Sequence, residues 1–155
     1  MFSFAHAFTG GTIAYAAENP LVALPLALTS HFVLDMLPHW NPDIPKEKKK
    51  FGKISKKTQF IIFLDVLLAL VLGLFIASLA YVKSAQTSSF VRIILGCFFA
   101  VLPDLIEAPL LLFNIKGEFP KRLLKIQSKL QWNIPLPWGL ITQVVLVISL
   151  FLVFF

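Results

Sequence analysis

From Thr58 to Val82 the chain runs through 25 residues whose one charge is Asp65. As a helix rising about 1.5 Å per residue, such a run exceeds the roughly 30 Å hydrocarbon core of a bilayer. Inside that core the backbone must satisfy its own hydrogen bonds, so the segment is constrained to be helical. A second long run, 90–115, has the same character, and shorter apolar stretches cover 2–17, 21–37 and 138–155. With 57% hydrophobic and 14% charged residues among 155, the balance is that of an integral membrane protein rather than a soluble domain. The expected fold is all-α: a single-domain polytopic membrane bundle (1–155) of about five transmembrane helices with one interfacial amphipathic helix.

The net charge of +6 does not point to nucleic acid, because the cations are confined to loops. Seven lysines crowd between Lys46 and Lys57 in the basic loop 41–57, and five more cations fall in the loop 116–137. In a five-span arrangement both loops lie on one side, and the positive-inside rule makes that side cytoplasmic, with the N-terminus inside and the C-terminus outside. If 2–17 were re-entrant, the loops would stay inside and the N-terminus would move outside. Lys116, Lys121, Arg122, Lys125 and Lys129 accompany an amphipathic stretch. Its cations share one arc, with Leu123, Ile126 and Leu130 opposite. Laid on an anionic leaflet, with Trp132 and Trp138 at headgroup level, it would contact membrane lipids. Ala14 to Ala17 resembles a signal cleavage site, but no cation precedes the apolar stretch and His6, Gly10 and Gly11 interrupt it, so this segment reads as mature protein. Cys97, the sole cysteine, reads as a packing residue.

The chemistry is concentrated in Thr29 to Asp43, which holds His31, Asp35 and His39 at i, i+4 and i+8. A helix through them turns all three to one side, and Pro38 kinks or ends that helix. Measured from the cytoplasmic boundary, His6, Asp35, Asp65 and Glu107 fall within ~12 Å depth, His31 and Asp104 at ~14 to 16 Å, and His39 near the surface. Separate spans thus deliver histidines and acids to one half of the membrane. A carboxylate near the bilayer centre costs at least roughly 2.5 kcal/mol, and almost no intramembrane Lys or Arg is present to pair with these acids. A divalent cation would resolve the charge; a chain of protonated carboxyls would also do so. His6, His31, Asp35, His39 and Asp104 are the candidate metal ligands, with Glu107 and Asp65 as further ligands, as groups that orient the ligands, or as the general base. Mixed imidazole and carboxylate donors suit zinc, manganese or iron. A weak internal echo, His6 with Leu37-Pro38-His39 and Asp65 with Leu102-Pro103-Asp104, suggests two facing hairpins around one centre.

His6 followed by Gly10, Ser30-His31 with Asp35 a turn later, and Leu102-Pro103-Asp104 together resemble the small bacterial and archaeal membrane-bound metal-dependent hydrolases, a family loosely similar to zinc-dependent phospholipases C. The resemblance implies a prokaryotic cytoplasmic-membrane enzyme that hydrolyses a lipid or phosphoester bond at the cytoplasmic leaflet with metal-activated water, zinc being the implied metal. Two rivals use the same residues: a metal-ion or proton transport or coupling protein, and a non-catalytic structural membrane subunit. Each is compatible with an oligomer. No Gly-rich phosphate loop or dinucleotide fingerprint is present.

Overall fold

The computed structural model describes residues 1–113, 115 and 117–155. Among the described residues seven α-helices follow in order: α1 (Ser3–Ala16), α2 (Pro20–Asp35), α3 (Ile44–Phe51), α4 (Lys56–Ser84), α5 (Thr87–Phe113), α6 (Glu118–Leu130) and α7 (Trp138–Phe154). Among the described residues there is no strand; His39 and Asn133 make an isolated parallel bridge. The architecture is all-α. Two helices, α4 with 29 residues and α5 with 27, are long and apolar enough to cross a membrane. This corrects the expectation of five: α1, α2 and α7 fall where apolar runs predict, but with 14, 16 and 17 residues they reach only about 21 to 26 Å.

α1 is the axis of the bundle. Phe4 to Thr12 are buried without interruption, and the helix packs against α5, α4, α2 and α7. Its approach to α5 is backbone on backbone. A Cβ on Gly10 would fall 2.4 Å from Ala100 Cβ and from the Gly96 carbonyl oxygen, and one on Gly96 would fall 2.5 Å from Ala14 Cβ. Only glycine permits this contact, which is how small residues let apolar helices meet closely. The antiparallel register that sets Ala14 against Gly96 and Gly10 against Ala100 brings His6, one turn further on, level with Asp104. α4 completes a core of Phe8, Ile76, Ala77, Ala80 and Ile93, while its outer face leaves Phe60, Phe63, Leu70 and Leu74 exposed.

Helix ends follow local chemistry. Asn19 caps α2 by accepting from the Leu21 N–H, and Pro20 suits the first turn. α2 stops at Asp35, ahead of Pro38, which is the ending rather than the kink expected there, so His39 is not carried on the helix of His31 and Asp35. The residue before a proline is pushed out of the helical region, and His39 returns on a loop. In the lysine-rich stretch expected to be a solvated loop, Asp43 accepts from Lys46 N–H and starts the short α3. Gly52, at φ +72°, ends it. Lys116, one of the five cations of the second basic stretch, lies outside the described residues. α6 buries Gln127 and half-buries Pro120, Leu123, Leu124 and Leu130, whereas Ile126, expected on that side, is 53% exposed.

Candidate metal centre

His6 from α1, His31 from α2 and Asp104 from α5 each offer a ligand atom, and the three atoms lie within 4.8 Å of one another, so the group could hold a metal ion. Asp35 stands beside them. His6 Nε2 is 3.4 Å from Asp35 Oδ1, and His31 Nε2 is 3.6 Å from both Asp35 Oδ2 and Asp104 Oδ1. His39 Nε2 is 3.9 Å from Asp35 Oδ1, and the His6 and His31 rings stack with centroids 3.9 Å apart. The i, i+4 spacing of His31 and Asp35 on α2 and the register of α1 on α5 bring these groups together; the loop after α2 adds His39.

Backbone carbonyls fix the tautomers. His31 Nδ1 lies 2.8 Å from the Ala100 carbonyl oxygen, and His39 Nδ1 lies 2.8 Å from that of Leu37. A carbonyl accepts only, so each Nδ1 carries a proton, and in the neutral ring Nε2 presents its lone pair to the cluster. This is the second-shell arrangement that prepares imidazole for a metal. Burial, followed by the positive amine of Met1, holds the His39 imidazole below its usual range, in the neutral ligand form. His39 Nε2, both ring nitrogens of His6, and Asp35 Oδ2 are buried without a hydrogen-bond partner. Orphaned polar atoms in a dry interior are costly; three of these, His6 Nε2, His39 Nε2 and Asp35 Oδ2, lie in the His–Asp cluster, where a divalent cation would satisfy them. The donor set therefore fits a metal. The amine of Met1, 2.5 Å from Asp35 Oδ1, faces the same carboxylate. Arg92 is engaged at the other end of α1, donating to the carbonyls of Ala14 and Glu18.

Asp65, considered as a base, has both oxygens committed: they accept from the N–H groups of Ser3 and Phe4 at 2.8 and 2.9 Å. It closes the start of α1, whose own N-cap residue, Phe2, has no capping side chain. Glu107 is 3% exposed, one turn beyond Asp104 on α5, and it faces Gln127. The Gln127 amide has two orientations, of which the second satisfies both of its ends whereas the first sets Oε1 against the carboxylate oxygens of Glu107. In one, Nε2 donates to His31 Nε2 at 2.5 Å and to Asp104 Oδ1 at 3.4 Å. In the other, Nε2 donates to both oxygens of Glu107, 2.8 Å to Oε2, and Oε1 faces His31 Nε2.

Gln127 carries neither a charge nor an imidazole, so the sequence does not mark it as part of the cluster. Its signal is a polar residue in the middle of the apolar stripe of α6. The main chain around Trp132 is a second unforeseen component: Trp132 N–H donates to the Asp35 carbonyl and His39 N–H to that of Trp132. These bonds fasten the segment after α6 to the loop that carries His39.

Comparison with known protein families, with curated proteins and with solved structures finds no match.

Proposed function

We propose that this protein is a membrane-embedded metal-dependent hydrolase acting on a lipid or phosphoester at the cytoplasmic leaflet. The observation that carries the reading is the convergence of His6, His31 and Asp104 from three helices, with the His31 tautomer set by Ala100. This mixture of imidazole and carboxylate donors suits zinc, manganese or iron, and zinc is the one the resemblance to the membrane-bound hydrolases implies. When bound, such an ion supplies an acidified water and polarises the scissile group. His6, His31 and Asp104 would hold it, with Asp35 and His39 beside them, and Ala100 and Leu37 orient the imidazoles through their carbonyls. Glu107 is the residue placed to accept a proton at its carboxylate. Asp65 acts as a positioning residue that fixes the start of α1.

The membrane placement rests on α4 and α5, an antiparallel hairpin in which the apolar side chains of α4 are largely exposed and α5 shows Val91, Leu95, Phe98, Leu105, Leu112 and Phe113 at the surface. The Lys46–Lys57 loop lies at the start of α4 and α6 follows the end of α5, so both basic segments flank the same end of the hairpin. That end is assigned to the cytoplasmic face of a prokaryotic membrane, with anionic headgroups as neighbours. The N-terminus, close to Asp35, falls on that side. α1, α2 and α7 complete the bundle around the hairpin. The residues quoted for the membrane-bound metal-dependent hydrolases, His6, His31, Asp35 and Asp104, are the ones that support this reading.

The test is turnover of vesicles containing labelled phosphatidylglycerol by purified protein reconstituted with zinc, alongside His31→Ala and Glu107→Gln. Hydrolysis lost in both variants, with no zinc or proton flux in sealed proteoliposomes, is the expected result. Flux without turnover would replace the reading with transport, and neither activity would leave a structural subunit.

A further inference from the structure

α6 buries a polar residue where its apolar stripe calls for a hydrocarbon: Gln127 is 1% exposed, with Leu123, Leu124 and Leu130 around it. The place its amide takes is that of a cation. The proton on His31 Nδ1 is committed to Ala100, so Nε2 offers a lone pair, and Asp104 Oδ1 is an acceptor as well. One end of the amide reaches both, its terminal atom 2.5 Å from His31 Nε2 and 3.4 Å from Asp104 Oδ1, and so stands against two of the three residues that could hold the ion, while its other end meets Glu107.

Space gives the same answer as hydrogen bonding. A zinc ion bound to imidazole sits about 2.0–2.1 Å from the nitrogen. The amide atom 2.5 Å from His31 Nε2 occupies that place, whichever way round the amide is turned. Nor can a turned amide serve as a further ligand from there: two atoms bound tetrahedrally to one ion at such lengths stand about 3.3 Å apart.

Resting on the metal reading above, we infer that Gln127 is a built-in competitor of the cation: its amide stands in for the ion at His31 and Asp104, and loading the ion expels it and undocks α6. The attachments of α6 say where it would move. It packs on α5 and α2, and just beyond its end the Trp132 bonds to Asp35 and His39 hold the chain in place. The helix therefore pivots about Trp132, lifting its first turns. Linkage makes the coupling reciprocal: whatever undocks α6 strengthens ion binding by the same factor that the ion loosens α6.

The experiment uses the full chain in detergent micelles, titrated with zinc alone against a competing chelator, as wild type, Gln127→Ala and Gln127→Leu. Hydrogen exchange is followed with and without the metal. Removing one or two hydrogen bonds that exist only in the ion-free state should lower the Kd roughly three- to tenfold in both variants. In the wild type, zinc should speed exchange across 118–127 and leave 132–134 unchanged. Wild-type binding with equal or weaker affinity in the variants, or slower exchange in α6 on zinc addition, overturns the competitor while leaving the metal site standing. No zinc bound by the wild type overturns both. Should Gln127→Ala misfold, Gln127→Leu and wild-type exchange decide the matter.

Discussion

At the scale of single residues, the imidazoles are prepared before any ligand arrives. His39 shows the consequence in a titration. Its neutral form is favoured in the fold by burial and by the nearby amine, so its proton affinity is lower folded than unfolded. Below the unfolded value of about 6.5 the unfolded chain takes up a proton that the native chain refuses. Stability should therefore fall as pH drops through that value and level off only below the depressed folded one. His39→Asn should flatten this part of the wild-type profile between pH 7 and 5, measured by chemical denaturation of the metal-free protein; an unchanged profile would remove the assignment. Asp65 gives a second residue-scale test. Asp65→Ala leaves the first N–H groups of α1 without acceptors and should cost about 1 to 2 kcal/mol in unfolding free energy. Asp65→Asn, which keeps one acceptor oxygen, should cost less. Neither change should remove the metal.

At the scale of elements, one crossing positions the site. α1 and α5 meet through Gly10 and Gly96, and the register of that contact aligns His6 with Asp104. Gly10→Ala places a Cβ 2.4 Å from Ala100 Cβ and the Gly96 carbonyl; neither is the flexible end of a side chain, so the helices must part. The expected cost is about 1 to 3 kcal/mol, accompanied by weaker zinc binding although no donor is touched. Intact zinc affinity in a folded Gly10→Ala variant would show that the crossing does not set the site.

How much of this could be read from residues alone also divides by element. The positions of α4, α5 and α7 follow from continuous apolar runs, and those of α1 and α2 from the Glu18-Asn19-Pro20 break. Three of those runs, 2–17, 21–37 and 138–155, are themselves short, and the helices they form match them to within two residues, so the miscount of spans came from run length and not from helix ends. α3 was hidden in a lysine-rich segment, where a single Asp43 cap decides the outcome. The donors His6, His31 and Asp104 stand out in the sequence by charge cost, since buried ionisable groups without Lys or Arg need a partner. Gln127 and the Trp132 main chain carry no charge, so no cost flagged them; their roles depend on how α6 and its following loop fold back over α2 and α5. Asp65 carried the same charge signal as Asp104 but serves a helix start, a difference that depends on which N–H groups a fold brings near.

At the scale of the whole molecule, a hairpin of two long apolar helices supports three shorter ones, and the shorter α1, innermost of all, brings one histidine to a cluster built by its neighbours. The basic segments gather at the end of the hairpin where that cluster lies, so charge at the surface and donors inside belong to the same half of the protein. The account stands on one ion shared by distant parts of the chain. Zinc per chain, counted by elemental analysis after reconstitution and gel filtration of the wild type, His6→Ala, His31→Ala and Asp104→Ala, tests this most directly. The account predicts stoichiometric zinc in the wild type and loss from all three folded variants, with affinities down by at least about tenfold. Zinc-free wild-type protein, or full zinc retained by any of the three variants, would contradict it.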